Sequence, residues 1–219
     1  MQNINEIKLN SKISNKSFLV YNFFKRGFDI ISASIGLIVL LPIFILLGIL
    51  IKLDSKGPIF FSHKRIGKDG KTIGVYKFRS MVSNSEEVFK NFTKEQKEEF
   101  EKNFKLDDDP RITKLGKFLR KTSLDELPQL LNIIKGDMSI VGPRPIVKAE
   151  VEKYGNCADK LFSVKPGLTG FWQANGRSDT SYEERVQMDM YYIDSRSFLL
   201  DIKIIFKTVI SVIKKEGAV

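Results

Sequence analysis

Cysteine and histidine are nearly missing from this chain, which has one of each, Cys157 and His63, in 219 residues. A single cysteine excludes an intrachain disulfide framework, and the pair leaves too few ligands for a tetrahedral Cys/His zinc site. No histidine lies near Cys157 in sequence, so both read as ordinary structural residues. Internal repeats, low-complexity tracts and flexible linkers are also lacking. The length suits one domain with a real core plus a segment of different physical character, and excludes several domains. Acidic residues are in deficit: 26 Asp and Glu stand against 36 Lys and Arg, for a net charge of +10. Such an imbalance calls for an anionic partner, whether nucleic acid, an anionic membrane surface or a phosphorylated substrate. The basic residues lie beside a long apolar run and no nucleic-acid recognition motif accompanies them, so a nucleic-acid partner is not expected.

Charge disappears between residues 30 and 51, IISASIGLIVLLPIFILLGILI. About 20 apolar residues are enough for a helix to cross a hydrocarbon core. The run begins too far in, is too long and lacks a small-residue cleavage pattern for a removable signal peptide, so it is expected to stay in the mature protein. A spanning helix should have more Lys and Arg at one end than the other. Here Lys25 and Arg26 precede the run, with Lys8, Lys12 and Lys16 further back, while Lys52, Lys56, Lys64 and Arg65 follow it. Pro42 removes an amide donor near the middle and predicts a kink or break. Two paths fit: a re-entrant helix that bends at Leu41-Pro42 and returns to the same face, or a bitopic helix that tolerates its proline.

Beyond the run, GPIFFSHKRIGKDGKTIGVYKFRSM predicts two strands joined near Asp69-Gly70. Residues 86–104 predict one charged helix, with Phe89, Phe92, Phe100 and Phe104 on or near one face, packed or facing a partner. The stretch SLDELPQ, residues 123–129, predicts a helix opened by a Ser123–Glu126 capping box, running to Lys135 and ending at Gly136. Its two adjacent carboxylates, Asp125 and Glu126, stand where a helix dipole favours negative charge. Two loops rich in glycine and proline, residues 136–145 and 165–177, each carry arginine and suit oxyanions, although turns alone account for their composition. The final tract, SFLLDIKIIFKTVISVIKK, predicts a helix lying on an anionic membrane surface or a buried terminal helix.

Six ordered blocks, KRGFDI, DSKGPIFF, YKFRSM, DPRITKLGKFLRKTSLDELPQLLNIIKGDMSIVGPRP, VKPGLTGFWQANGR and DMYYIDSRSFLLDIKII, together resemble the bacterial sugar transferases, the monotopic phosphoglycosyl transferases. The resemblance runs from about Lys25 to near the C-terminus, in a minimal form without the extra membrane helices of larger relatives, and leaves residues 86–104 unmatched. It implies an α+β fold: a mainly helical membrane-associated domain with a β-hairpin and a re-entrant, helix-break-helix membrane segment at Pro42. The chain would divide into an N-terminal segment (1–24), a re-entrant helix (25–53) and a cytoplasmic transferase domain with interfacial helices (54–219). Many relatives have Ser before that proline where this chain has Leu41.

The resemblance further implies transfer of a sugar phosphate from a UDP-sugar to undecaprenyl (polyprenyl) phosphate, with UMP released, by a ping-pong route. This would be the first membrane step of surface glycan or glycoprotein glycan assembly, on the cytoplasmic face of the bacterial inner membrane. Asp125 would be the nucleophile of an Asp125-Glu126 dyad and form a covalent phosphosugar. Glu126 would hold the helix start, orient Asp125, contact the metal or assist proton transfer. Mg²⁺, held by Asp125 and Glu126, is the implied cofactor. By motif, Lys77, Arg120, Arg144 and Arg177 are the first candidates for phosphate or nucleotide binding, with Arg79 and Arg111 second. Asp189 lies in a matched block, with a structural or a site-directed role. The implied partners are a UDP-sugar, polyprenyl phosphate and anionic membrane lipid. A non-catalytic membrane-associated adaptor that keeps the fold is the alternative, and the intact dyad with Lys77, Arg144 and Arg177 weighs against it.

Overall fold

The uncharged run forms part of one long helix, α1 (Asn15–Asp54, 40 residues). The computed structural model describes residues 15–103, 106, 108–176 and 180–214. One stripe of α1, made of Ala33, Leu37, Leu40, Phe44, Leu47 and Ile51, recurs every three or four residues and packs into two clusters of the core. Gly36 faces Leu130, and an added Cβ would meet the leucine side chain at an ordinary contact distance of 3.4 Å. The opposite face leaves Ile31, Ile35, Ile38, Val39, Leu46 and Ile49 exposed.

Pro42 sits inside this helix and does not divide it. Helical structure thus continues through Pro42, where a break was expected. Packing of the stripe on both sides of Pro42 holds the two halves to one surface, so the loss of a single amide donor does not interrupt the helix.

Next comes the hairpin of β1 (Phe60–Ile66) and β2 (Thr72–Phe78), antiparallel in the register Phe61↔Lys77 and His63↔Val75. Its connection has left-handed backbone at both Asp69 (φ 57°) and Gly70 (φ 71°), the conformation an Asp-Gly pair favours. The charged tract expected as one helix is two, α2 (Ser85–Lys90) and α3 (Lys94–Asn103), parted at Asn91–Thr93. Thr93 explains the restart: its hydroxyl accepts from the Gln96 amide while the Gln96 side chain accepts from the Thr93 amide. Phe104 lies outside the described residues.

The short helix α4 (Lys114–Lys121) is capped by Thr113, whose hydroxyl accepts from Gly116 N. A three-residue 3₁₀ turn, Leu124–Glu126, leads into α5 (Gln129–Lys135), which ends at a left-handed Gly136 as expected. The two glycine- and proline-rich loops are more than turns: they contribute β3 (Ser139–Val141) and β4 (Gly167–Thr169), a parallel pair. Another 3₁₀ segment (Lys148–Cys157), α6 (Ala158–Phe162), α7 (Phe171–Asn175), α8 (Tyr182–Ser195) and α9 (Phe198–Ile213) complete the chain. In α9, Asp201 and Ile204 are buried while Phe198, Leu199 and Phe206 are exposed, so the helix is part core and part apolar surface.

The N-terminal half of α1 is pinned by polar contacts. Lys25 Nζ and Tyr21 OH each approach Asp201 Oδ2 at 2.7 Å, and Tyr192 OH donates to Asp201 Oδ1. Asp29 Oδ1 accepts from Ile140 N, and Arg26 donates to the Ile133 and Ile134 carbonyls that end α5. At the other end, Arg79 Nη2 donates to the Ile51 and Ser55 carbonyls that close α1. From Arg26 to Ile51 the helix is thus in contact with a single domain.

Candidate active site

Where a capping box was expected, the chain makes a sharper turn. Ser123 takes a left-handed conformation (φ 56°, ψ 16°), and its side chain forms no capping bond. Glu126 does not reach back to the Ser123 amide; its Oε1 accepts from Lys77 Nζ at 2.6 Å. The turn Leu124–Glu126 sends Leu124 and Leu127 into the cluster around Phe78 and Leu119, which fixes the two carboxylates between them. A box of the expected type does exist elsewhere, at Ser181–Glu184, where it opens α8.

Lys77, on β2, is the common cation of the pair, 3.6 Å from Asp125 Oδ2 and 2.6 Å from Glu126 Oε1. The two carboxylates differ in setting: the Asp125 side chain is 7 % exposed and that of Glu126 is 30 % exposed. Burial raises the Asp125 pKa above the ordinary carboxylate range, with Lys77 pulling down and Glu126 pushing up. This corrects the expectation that a helix N-terminus lowers it, because a three-residue 3₁₀ turn offers little dipole against that desolvation. Burial acts the same way on Glu126, but Lys77, Arg144 and Arg65 outweigh it and leave its pKa lowered.

The structure gathers some of the other candidates and sets others apart. Arg120, half-buried at the end of α4, donates Nε to Ser80 Oγ at 2.9 Å, and Asp125 is the first charge acting on it after its own burial. Ser80 is held there by Gly116, where any Cβ would overlap the Ser80 carbonyl. Arg144 is exposed in the loop after β3, and its charge acts on Glu126. Arg177 lies outside the described residues.

Arg79 and Arg111 are engaged away from the dyad. Arg79 is buried against the end of α1, where cations suit helix carbonyls. Arg111 forms a forked pair with the buried Asp109 carboxylate, Nε to Oδ1 at 2.8 Å and Nη2 to Oδ2 at 2.6 Å. The rings of Phe89, Phe92 and Phe100 surround its guanidinium at 5.0–5.2 Å. The unmatched tract is therefore an aromatic clamp on Arg111. Asp189 lies in the core, with Tyr154 OH donating to it at 2.8 Å, and burial lifts its pKa to about 7.

Two residues beside the dyad went unselected in the sequence. Paired strand residues share a face, so the register puts His63 and Arg65 on the same face of the hairpin as Lys77. The alternation of SHKRI carried that signal, but only strand pairing shows which face meets Asp125.

For a divalent ion, no group of three or more His, Cys, Asp or Glu gathers among the described residues. Asp125 and Glu126 supply two carboxylates, the number Mg²⁺ uses when substrate phosphates and water complete its octahedron. The donor set fits that ion.

Comparison with known proteins places these features in context. The sequence pattern of the family described as bacterial sugar transferase matches residues 20–215. The undecaprenyl-phosphate galactose phosphotransferase of Salmonella typhimurium is 48% identical over 90% of this chain and 42% of its own length. A UDP-galactose-lipid carrier transferase of Erwinia amylovora is 47% identical over the same shares, 90% and 42%. The exopolysaccharide production protein ExoY of Sinorhizobium fredii is 48% identical over 89% of this chain and 87% of its own length. The chain thus spans about two fifths of the first two relatives.

Proposed function

Because the chain belongs to the bacterial sugar transferase family, we propose that it transfers a sugar phosphate from a UDP-sugar to polyprenyl phosphate, as an early membrane step of polysaccharide assembly. Two relatives support the substrate classes by name, one with undecaprenyl phosphate and one with a UDP-sugar and a lipid carrier. The observation that carries the reading is the buried Asp125 carboxylate beside Glu126 with Lys77 reaching both.

In the first half-reaction an Asp125 oxygen attacks the sugar-bearing phosphorus of the donor. The phosphorus–oxygen bond to the bridging oxygen breaks, UMP departs with the electron pair, and an aspartyl phosphosugar remains. A phosphate oxygen of polyprenyl phosphate then attacks the same phosphorus and restores the Asp125 carboxylate. Neither half needs a proton to reach its leaving group. Lys77 neutralises the carboxylates before substrate arrives and can turn one of its hydrogens to the donor phosphate, lowering the repulsion between anions. Mg²⁺ bound by Glu126 and Asp125 would supply further charge neutralisation on the diphosphate. A two-step route lets a water-soluble donor and a lipid acceptor use one small site in turn.

The membrane path proposed is re-entrant, on the cytoplasmic face of the inner membrane. Its support is that the same polar domain ties down both ends of the uncharged run, through Arg26 at one end and Ile51 at the other, which keeps the two flanks on one side of a bilayer. The exposed face of α1 would meet lipid, with the apolar surface of α9 at the interface.

The test is mass spectrometry of the full chain incubated with UDP-galactose and other UDP-sugars, Mg²⁺ and no lipid acceptor. A phosphosugar adduct on a peptide containing Asp125, discharged by polyprenyl phosphate, is the expected result. Asp125→Asn should form no adduct and lose on the order of 10³-fold or more in turnover. UMP release that requires both substrates together would instead make the reaction a direct transfer.

A further inference from the structure

Next to the dyad the fold brings guanidinium groups together without enough carboxylate to balance them. The backbone bond from Ile66 N to Ile146 O, 2.9 Å, lays the loop containing Arg144 along the end of β1. Arg65 there is largely buried, with 15 % of its side chain exposed, and Arg144 is the leading neighbouring charge acting against its protonated form. Glu150 meets Arg65 at 3.3 Å, but the same carboxylate oxygen also accepts from Val147 N. Glu126, the other nearby carboxylate, is taken by Lys77. Arg144 makes no hydrogen bond or ion pair among the described residues, although it stands beside like charges. Bringing cations together in a partly dry site is unfavourable unless an anion joins them.

His63 completes the group. Its Nδ1 lies 3.2 Å from Arg65 Nη2, an arginine nitrogen that can only donate, so Nδ1 accepts and the ring proton is on Nε2. Burial, then Arg65, Lys77 and Arg144, hold the imidazole pKa down to about 4, so the ring is neutral in use. It is a fixed N–H donor on the face of the hairpin that carries Lys77.

We propose that Arg65, Arg144 and the Nε2–H of His63 form a phosphate subsite that takes the nucleoside-side phosphate of the donor, leaving the sugar-side phosphate to Lys77 and the dyad. This rests on the transfer reading and extends it. The nucleoside-side phosphate gains charge as the bridging bond breaks, so two guanidinium groups and a neutral donor there stabilise the departing monophosphate as well as the bound diphosphate. Glu150 is the positioning residue that holds the Arg65 fork.

The experiment is calorimetric titration of the full chain in detergent with UDP, UMP and uridine. Arg65→Ala should weaken UDP and UMP binding about 10-fold or more and leave uridine unchanged. Arg65→Lys, which keeps charge but not the planar fork, should fall between it and the parent. His63→Leu should weaken UDP and UMP several-fold, and His63→Gln, which retains an N–H near that place, should recover most of the loss. Thermal unfolding of each variant separates a lost site from a lost fold. Unchanged UDP affinity in folded Arg65→Lys and His63→Leu overturns the subsite, as does a loss confined to uridine. Either result leaves the transfer reading standing if the parent still releases UMP from a UDP-sugar. A parent that neither binds UDP nor releases UMP overturns both.

Discussion

Ser123 holds the dyad in place by adopting backbone that serine seldom takes. Its left-handed conformation turns the chain between α4 and the carboxylates, at a cost of roughly 1–2 kcal/mol for a residue with a Cβ. Ser123→Gly should therefore be at least as stable as the parent, and Ser123→Val should lose about 1–3 kcal/mol in urea unfolding. Equal stability of the two variants would show that the turn carries no strain. Asp125 is costly in another way. Its folded pKa is raised, so the folded state keeps the proton at pH values where the unfolded chain has released it. Stability is consequently undiminished below the unfolded pKa and falls as pH rises toward the folded one. Asp125→Asn removes that loss, and its melting temperature should gain on the parent as pH rises through the window that opens above the ordinary Asp value of about 4. A constant difference across that window would contradict a raised pKa. For turnover by the proposed route the same shift predicts an acid limb above the ordinary carboxylate range, because that route needs Asp125 ionised.

At the scale of elements, the site depends on the seam between β2 and α5. Asn132, fully buried, accepts from Tyr76 N at 2.9 Å and donates to Gly74 O at 2.7 Å, so one side chain satisfies both backbone groups on the edge of β2. Beneath it Val75 packs with Leu130 and Ile133. Because β2 carries Lys77 and the dyad turn runs into α5, slack in this seam would spread the cation from its carboxylates. Asn132→Leu leaves two part-buried backbone groups, Tyr76 N and Gly74 O, without partners and should cost about 1–3 kcal/mol by denaturant unfolding. Its turnover at a temperature where it remains folded should fall as well. Full activity in a destabilised Asn132→Leu would mean that Lys77 is placed independently of α5.

The whole molecule is organised around the contact between α1 and the rest of the chain. The helix would be about 60 Å long at 1.5 Å per residue, twice the thickness of a hydrocarbon core. Length alone would let it cross, but both halves of its inward stripe are occupied by the same domain. Single cysteines placed at Lys16 and Lys64 in a Cys157→Ser background should both resist an impermeant maleimide in intact cells and react after permeabilisation. Labelling of either one from outside would establish a crossing helix and sink the re-entrant path.

Much of this was legible without coordinates. The apolar run, the Asp69-Gly70 hairpin, the Gly136 stop and the Asp125-Glu126 pair each rest on local signals, namely hydrophobic period, turn chemistry and neighbouring residue types. Such signals name elements and candidates because they act over a few residues. They failed where a distant partner decided the outcome. Glu126 turned to Lys77 on another element and not to its own Ser123; Arg79 closed α1; Arg111 was enclosed by phenylalanines from two helices and the link between them. Asp125 lost water to packing around Leu124 and Leu127, which reversed the pKa expected from position alone. His63 and Arg65 joined the site through strand register and a loop some 80 residues away. Local sequence could specify the dyad, but the charge around it depended on tertiary contact, because desolvation and Coulomb interaction follow distance in space rather than along the chain.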